Sequence, residues 1–385
     1  MPQRRSDIVD AAHTSFYHCF SRCVRKESLL ADPRRRAWLA SRMKFLATHC
    51  AIDVFAFAVM INHVHLLLRI RPQLVQSWSD REIATRRIAL LPSRRRRKSL
   101  GNLSESVAHE LEIALIMRNP ALLAKTRRDL SDLGFFHRLF KEPSARMWNR
   151  EDEVKGHFWE GRFKSPRVLD QQALLRVSNY IELNEIHAGG AHSLDGSRWT
   201  SVKLQLQKLT SAVRELCLDE HSTFESKICR LDSIEWEPVF ASRTVATSGE
   251  VGALSIPDSD DLIEGVPALI HYINRVDQLG RTARPDKLGS IASIQPSAVS
   301  AAIDLAAASL SQSSAAAREA VKRIHDWWRD KIRRELNRLA WAPPTLAPLP
   351  WMFSGRGSCY GDRGAVACEA QRRNCKWLIP ILGDA

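Results

Sequence analysis

Nowhere in this 385-residue chain do 18 or more apolar residues run together, so a membrane-spanning helix is excluded. The opening MPQRRSDIVD has no apolar stretch of the kind a secretory signal needs, and the expectation is a cytoplasmic protein with no membrane partner. No C-x-x-C pair occurs among the eight cysteines, whose irregular spacing suits reduced thiols rather than a disulfide frame. Cys359, Cys368 and Cys375 cluster near the C-terminus, but the paired knuckles of structural zinc are missing. No internal repeat is visible either.

What the chain does have is length for two or three domains and an excess of positive charge. Lys and Arg number 57 against 43 Asp and Glu, a net +14 with His neutral. The excess is uneven, about +13 over residues 1–190 and +1 over 191–385 by direct count. A polyanion such as nucleic acid is the partner this balance suits, and its footprint belongs to the first half.

Hydrophobic patterning predicts strand, helix, strand, strand over the first seventy residues. Thr14 to Ser21 is short and aromatic; Pro33 opens a helix with Leu39, Met43, Leu46 and Cys50 on one stripe. Ile52 to Met60 reads as a strand buried on both faces, and Asn62 to Ile70 alternates. Val64, Leu66, Leu68 and Ile70 then take a core face, while His63, His65, Leu67 and Arg69 take the other. Residues 71–150 read as a helical insertion carrying the block Arg94-Arg95-Arg96-Arg97-Lys98, either a solvated loop or a phosphate-contacting arm. Strand character returns over 157–164, with Arg162 and Lys164 on one face, and Asp170 caps a helix with stripe Leu174, Val177, Ile181, ending near Gly189. The fold class is α+β, with one domain over 1–205 and a mostly helical region of unassigned role over 206–385. There, 297–317 is helix or linker, and Val321, Ile324, Trp328, Ile332, Leu336 and Leu339 mark a packing helix stopped by Pro343.

Two imidazoles on one strand face, His63 and His65, can bind a single divalent ion. Tyr180 and Asn184, four apart, share a helix face that is not the apolar stripe. An Asn carbonyl suits hard Mg2+ or Mn2+, and a phenol beside such an ion can attack a phosphate. On spacing alone, Tyr180 is equally an amphipathic-face residue and Asn184 a helix-end residue.

Met60-Ile61-Asn62-His63-Val64-His65-Leu66-Leu67-Leu68 resembles the His-hydrophobe-His motif of the single-tyrosine HUH transposases, the IS200/IS605-like group that includes the REP-associated tyrosine transposases. Phe16-Tyr17-His18 with Ser21-Arg22 resembles the family's first strand. Phe158-Trp159-Glu160-Gly161-Arg162-Phe163-Lys164 resembles a later strand, Tyr180-Ile181-Glu182-Leu183-Asn184 the catalytic helix, and Trp199-Thr200-Ser201 a segment that follows it. The resemblance covers about 13–70 and 155–202. It implies a ferredoxin-like (RRM-like) antiparallel sheet, metal ligands His63, His65 and Asn184, nucleophile Tyr180, and Mg2+ or Mn2+ as cofactor. It also implies cleavage and rejoining of single-stranded hairpin DNA through a 5′-phosphotyrosine link. Arg22, Arg69, Arg162, Lys164 and Arg94, Arg95, Arg96 and Arg97 are the expected DNA contacts, and a homodimer stays open.

Where the family commonly has Pro and then a basic residue, this chain has Glu185 and His187. Without Pro the helix is expected to run a turn longer, with His187 joining the face of Tyr180 and Asn184 either as a group supporting the site or facing solvent. Two other functions compete with catalysis. One is an RRM-like module stacking bases on Phe16, Phe55 and Trp159; the other is a non-catalytic regulator derived from a transposase.

Overall fold

The computed structural model describes residues 9–92, 103–242, 267–282, 287–338 and 359–372. Five strands, β1 (Ser15–Arg22), β2 (Ile52–Val59), β3 (His63–Ile70), β4 (Arg167–Val168) and β5 (Cys359–Tyr360), form a sheet in the order β2-β3-β1-β4-β5. Helix α1 (Pro33–His49) joins β1 to β2, so the expected strand-helix-strand-strand order holds. Asp32 starts α1 by accepting a hydrogen bond from the Arg34 N–H, Pro33 sits at its first turn, and Leu39, Met43 and Leu46 are its buried stripe. The chain forms two compact units.

The first unit is built from residues 1–55, 61–168 and 240–260. In it β1 pairs antiparallel with β3, Phe20 opposite His65 and Arg22 opposite His63, and on its other side with β4. Cross-strand neighbours therefore share a face: His18, Phe20 and Arg22 stand with His63, His65 and Leu67. The expected open face of β3 is in fact covered, because His65 and Leu67 are both fully buried. Rings from β1 lie against His65, His18 at 5.0 Å and Phe20 at 5.7 Å between centroids.

The insertion is helical, as its periodicity predicts: α2 (Pro72–Ser77), α3 (Asp80–Leu90), α4 (Glu105–Met117), α5 (Pro120–Leu130) and α6 (Leu133–Glu151). Short polar residues open four of them. Ser79, Ser104, Asn119 and Asp132 each accept from the backbone N–H three residues on, satisfying a donor the helix cannot. Arg94 to Arg97 lie outside the described residues.

Residues 157–164 do not form the expected continuous strand. The segment meets β1 only at isolated bridges, Cys23 with Trp159 and Phe20 with Lys164, and bulges between them through Gly161 at φ +59°. That conformation suits glycine, and it leaves Arg162 and Lys164 exposed while Phe163 is buried.

The second unit comprises 56–60, 169–239 and 261–385. Its helices are α7 (Gln171–Glu182), α8 (Asn184–His187), α9 (Val202–Leu218), α10 (Phe224–Asp232), α11 (Leu269–Arg281), α12 (Ala298–Ser309), α13 (Ala315–Arg338) and α14 (Arg363–Arg372). The helical expectation beyond 205 is met, 297–317 contains α12, and Val321, Ile324 and Trp328 of α13 are buried. The expected boundary at 205 is not where the compact units divide. Phe240 returns to β2 through paired backbone bonds with Val54, and α7 packs with α11. Among the described residues, no helix is long and apolar enough to cross a membrane.

Arg69 proves to be a core residue. Its Nε and Nη2 donate to Oδ2 of the fully buried Asp53 at 2.9 and 2.7 Å, and its guanidinium lies near the Phe55 ring. Removing this cation takes two hydrogen bonds from a buried carboxylate that keeps the Arg71 guanidinium at 3.8 Å, so Arg69→Met is expected to cost about 1–3 kcal/mol in urea denaturation.

Candidate metal and tyrosine site

β3 carries the paired histidines as its alternation predicts, their rings 4.8 Å apart between centroids and nearly perpendicular. His63 Nδ1 lies 2.5 Å from Asn62 Oδ1. A carbonyl oxygen only accepts, so Nδ1 carries the proton and Nε2 the lone pair. His65 Nδ1 lies 2.9 Å from Nε2 of His18, a fully buried residue of β1. Burial, with the Arg22 charge added, pushes the His63 pKa down to about 4. Burial also pushes His18 down to about 3; it holds His65 well below its ordinary value, with neighbouring His63, His18 and Arg22 acting the same way. All three imidazoles are therefore neutral at physiological pH, the state in which a ring nitrogen ligates a metal.

His18 stands in the Phe16-Tyr17-His18 motif without an assigned role. Its signal was present in the parity of His18, Phe20 and Arg22 along β1, but only the β1–β3 register shows that this row faces the histidines. Arg22, half-buried at the end of β1, stands directly opposite His63.

In the second unit, Asp170 caps α7 by accepting from the Ala173 N–H, and Leu174, Val177 and Ile181 are fully buried, as expected. The helix does not run on unbroken: Leu183 is its C-cap, and the single turn α8 follows. Tyr180 and Asn184 nevertheless remain stacked, because Asn184 Nδ2 donates to the Tyr180 carbonyl oxygen at 2.7 Å. The amide nitrogen is the end used by the helix, so the carbonyl oxygen is the end suited to a hard cation. Both residues are half-buried. His187 does not face solvent. It is buried, because the turn after Leu183 carries it inward and Gly189, at φ +73°, ends the segment.

Glu182, fully buried between these positions, holds α7 in place. Its Oε2 accepts from the Ser201 hydroxyl at 2.8 Å and the Val202 N–H at 2.6 Å, and Oε1 lies 3.3 Å from the Tyr272 hydroxyl. Ser201 in turn binds both backbone groups of Phe57. The segment Trp199–Ser201 thus clamps the tyrosine helix to the end of β2, a role the motif alone did not reveal. Tyr272 lies ninety residues downstream in α11, where no local pattern could mark it.

The two strand imidazoles suit a divalent ion, since His63 offers Nε2 by its bond to Asn62 and His65 stands beside it. In the second unit, Asn184 has its amide nitrogen tied to the helix. Among the described residues no group of three His, Cys, Asp or Glu is placed to hold a metal ion.

Burial raises the Glu182 carboxyl to a pKa of about 8. The folded state therefore binds a proton that the unfolded state has released by about pH 4.5, and Glu182 costs stability increasingly as pH rises from about 4.5 to 8. Glu182→Gln, neutral and of the same shape, is expected to flatten that decline and match or exceed the wild-type Tm at pH 8. Glu182→Ala should lower Tm at every pH, because it strands the Val202 and Ser201 donors at about 1–3 kcal/mol each. Thermal melts from pH 5 to 9 check both.

No family model matches the chain, and no curated protein matches it. A solved REP-associated tyrosine transposase bound to a REP hairpin is similar over 54% of this chain and 87% of its own, with 11% identity and a TM-score of 0.29.

Proposed function

We infer that this chain is a metal-dependent transesterase of single-stranded DNA, a transposase that cleaves and rejoins strands at hairpin repeats. The observation that carries this reading is the pair of neutral imidazoles, His63 and His65, side by side on one strand face with Asn62 fixing the first. A ferredoxin-like core is the fold this reading implies. His63 and His65 would hold Mg2+ or Mn2+ through imidazole nitrogen and Asn184 through its carbonyl oxygen. When bound, the ion supplies positive charge that polarises the phosphate and offsets charge in the transition state.

Tyr180 supplies the nucleophile. Its phenol oxygen, losing the proton, bonds to phosphorus; the bond from phosphorus to the 3′-oxygen breaks, and that oxygen leaves as a 3′-hydroxyl. The resulting 5′-phosphotyrosine ester keeps the bond energy, so a second 3′-hydroxyl can reverse the step without a nucleotide cofactor. Arg22, beside His63, and the exposed Arg162 and Lys164 contact the DNA backbone. Arg69 is left out of this set because its guanidinium serves Asp53.

A base-stacking module is disfavoured by burial: Phe16 and Phe55 are fully buried, and Trp159 is buried with its indole N–H on Ser144. A non-catalytic regulator makes the opposite forecast about covalent chemistry. With labelled hairpin DNA and Mn2+, the wild type is expected to form an SDS-resistant adduct. Tyr180→Phe should abolish it while retaining binding, and Tyr17→Phe should still form it. Adducts from Tyr180→Phe would show that the nucleophile is another residue, and none from the wild type would favour the regulator.

Metal dependence and salt dependence follow from the same reading. Excess EDTA, His63→Ala or His65→Ala should each remove cleavage. With about six phosphate contacts, affinity should fall roughly 300-fold between 50 and 200 mM salt, and Arg162→Ala with Lys164→Ala should make that dependence shallower.

A further inference from the structure

We propose that His18 is a positioning residue that sets the tautomer of His65 by accepting a hydrogen bond from its Nδ1–H. This rests on the reading of His63 and His65 as metal ligands, and its support is the cross-strand geometry. In the β1–β3 register, His18 opposes Leu67 and lies diagonal to His65 on the same face, and its Nε2 comes within 2.9 Å of His65 Nδ1. The two rings are stacked, 27° between planes.

Two imidazole nitrogens 2.9 Å apart share one proton, and it can belong to either ring. If His18 donates, His65 carries its own proton on Nε2 and cannot ligate through that atom. If His65 donates from Nδ1, its Nε2 keeps the lone pair and can bind a cation. Asn62 makes this choice for His63, because an amide oxygen has no proton to give. His18 has to make it for His65, and it can do so only as the Nδ1–H tautomer. The neighbouring histidines thus have unlike supports: a fixed acceptor behind one and an adaptable ring behind the other. A metal ligand whose second nitrogen is held by an acceptor is oriented and made more basic, and loss of such a support typically weakens metal binding 10–100-fold.

The side chains around His18 suit this role. His18 is fully buried, flanked by Phe20 at 5.3 Å between centroids, so its ring has little freedom to turn away. Its position in the middle of a strand hydrogen-bonded on both sides fixes the backbone as well.

The test is Mn2+ binding to the full chain without DNA, followed by electron paramagnetic resonance of free Mn2+. His18→Phe keeps a ring but has no acceptor, and its Mn2+ affinity is expected to drop 10–100-fold. His18→Gln places an amide oxygen near the Nε2 position and should recover most of that loss, which a merely space-filling role would not give. The wild type with 15N-labelled histidine and Mg2+ should show His65 protonated on Nδ1. Wild-type Mn2+ affinity in folded His18→Phe, or His65 protonated on Nε2, would overturn the inference. If His18→Phe fails to fold, the tautomer measurement and His18→Gln still decide. Loss of Mn2+ binding in His65→Ala but not in His18→Phe would defeat this inference alone. No Mn2+ binding by the wild type, or binding indifferent to His63→Ala and His65→Ala, would defeat the metal reading beneath it.

Discussion

Register between β1 and β3 is the constraint on which the first unit depends. Side chains alternate along a strand, so a slip of one residue would turn His63 and His65 away from His18, Phe20 and Arg22. The buried polar groups reinforce both pairings of β3: His65 meets His18 across to β1, and Arg69 meets Asp53 across to β2. Burial that would be costly for an isolated ion or ring becomes a source of specificity once the partner is supplied across the sheet.

The second unit meets a comparable demand with a carboxyl group. Glu182 lies one turn from neither Tyr180 nor Asn184 but between them in sequence, and its side chain is directed into the core, where Ser201, Val202 and Tyr272 receive it. The half-buried tyrosine and asparagine are thus carried by a helix whose other side is both apolar, through Leu174, Val177 and Ile181, and hydrogen-bonded. The backbone that carries Tyr180 and Asn184 is thus held by the buried side of the helix, not by burial of the two side chains themselves. The break at Leu183 does not disturb the pair, since the Asn184 amide bridges back to the Tyr180 carbonyl.

Burial also separates the competing functions. An RRM-like binding surface requires aromatic faces open to bases, whereas Phe16, Phe55 and Trp159 are packed inside. The polar groups of the sheet instead converge on neutral imidazoles, which suit a divalent ion better than a base stack. Exposed cations remain at Arg162 and Lys164, on either side of the buried Phe163.

Local patterns were enough for β1, α1, β2 and β3, for the helical insertion, and for the capped helix that carries Tyr180, because periodicity and caps act over a few residues. Spacing also places His63 with His65 and Tyr180 with Asn184, each pair on one face of its element, while their proposed roles come from the resemblance. The division into compact units, the covered second face of β3, the broken 157–164 segment and the burial of His187 depended on contacts between distant residues. So did the parts assigned to Arg69, His18, Glu182 and Tyr272: a guanidinium in sequence can serve a phosphate or a carboxylate, and only Asp53, sixteen residues away on the adjoining strand, decides which. Spacing reports which way a side chain points; the partner it meets there is set by strand register and by helices packed from far along the chain.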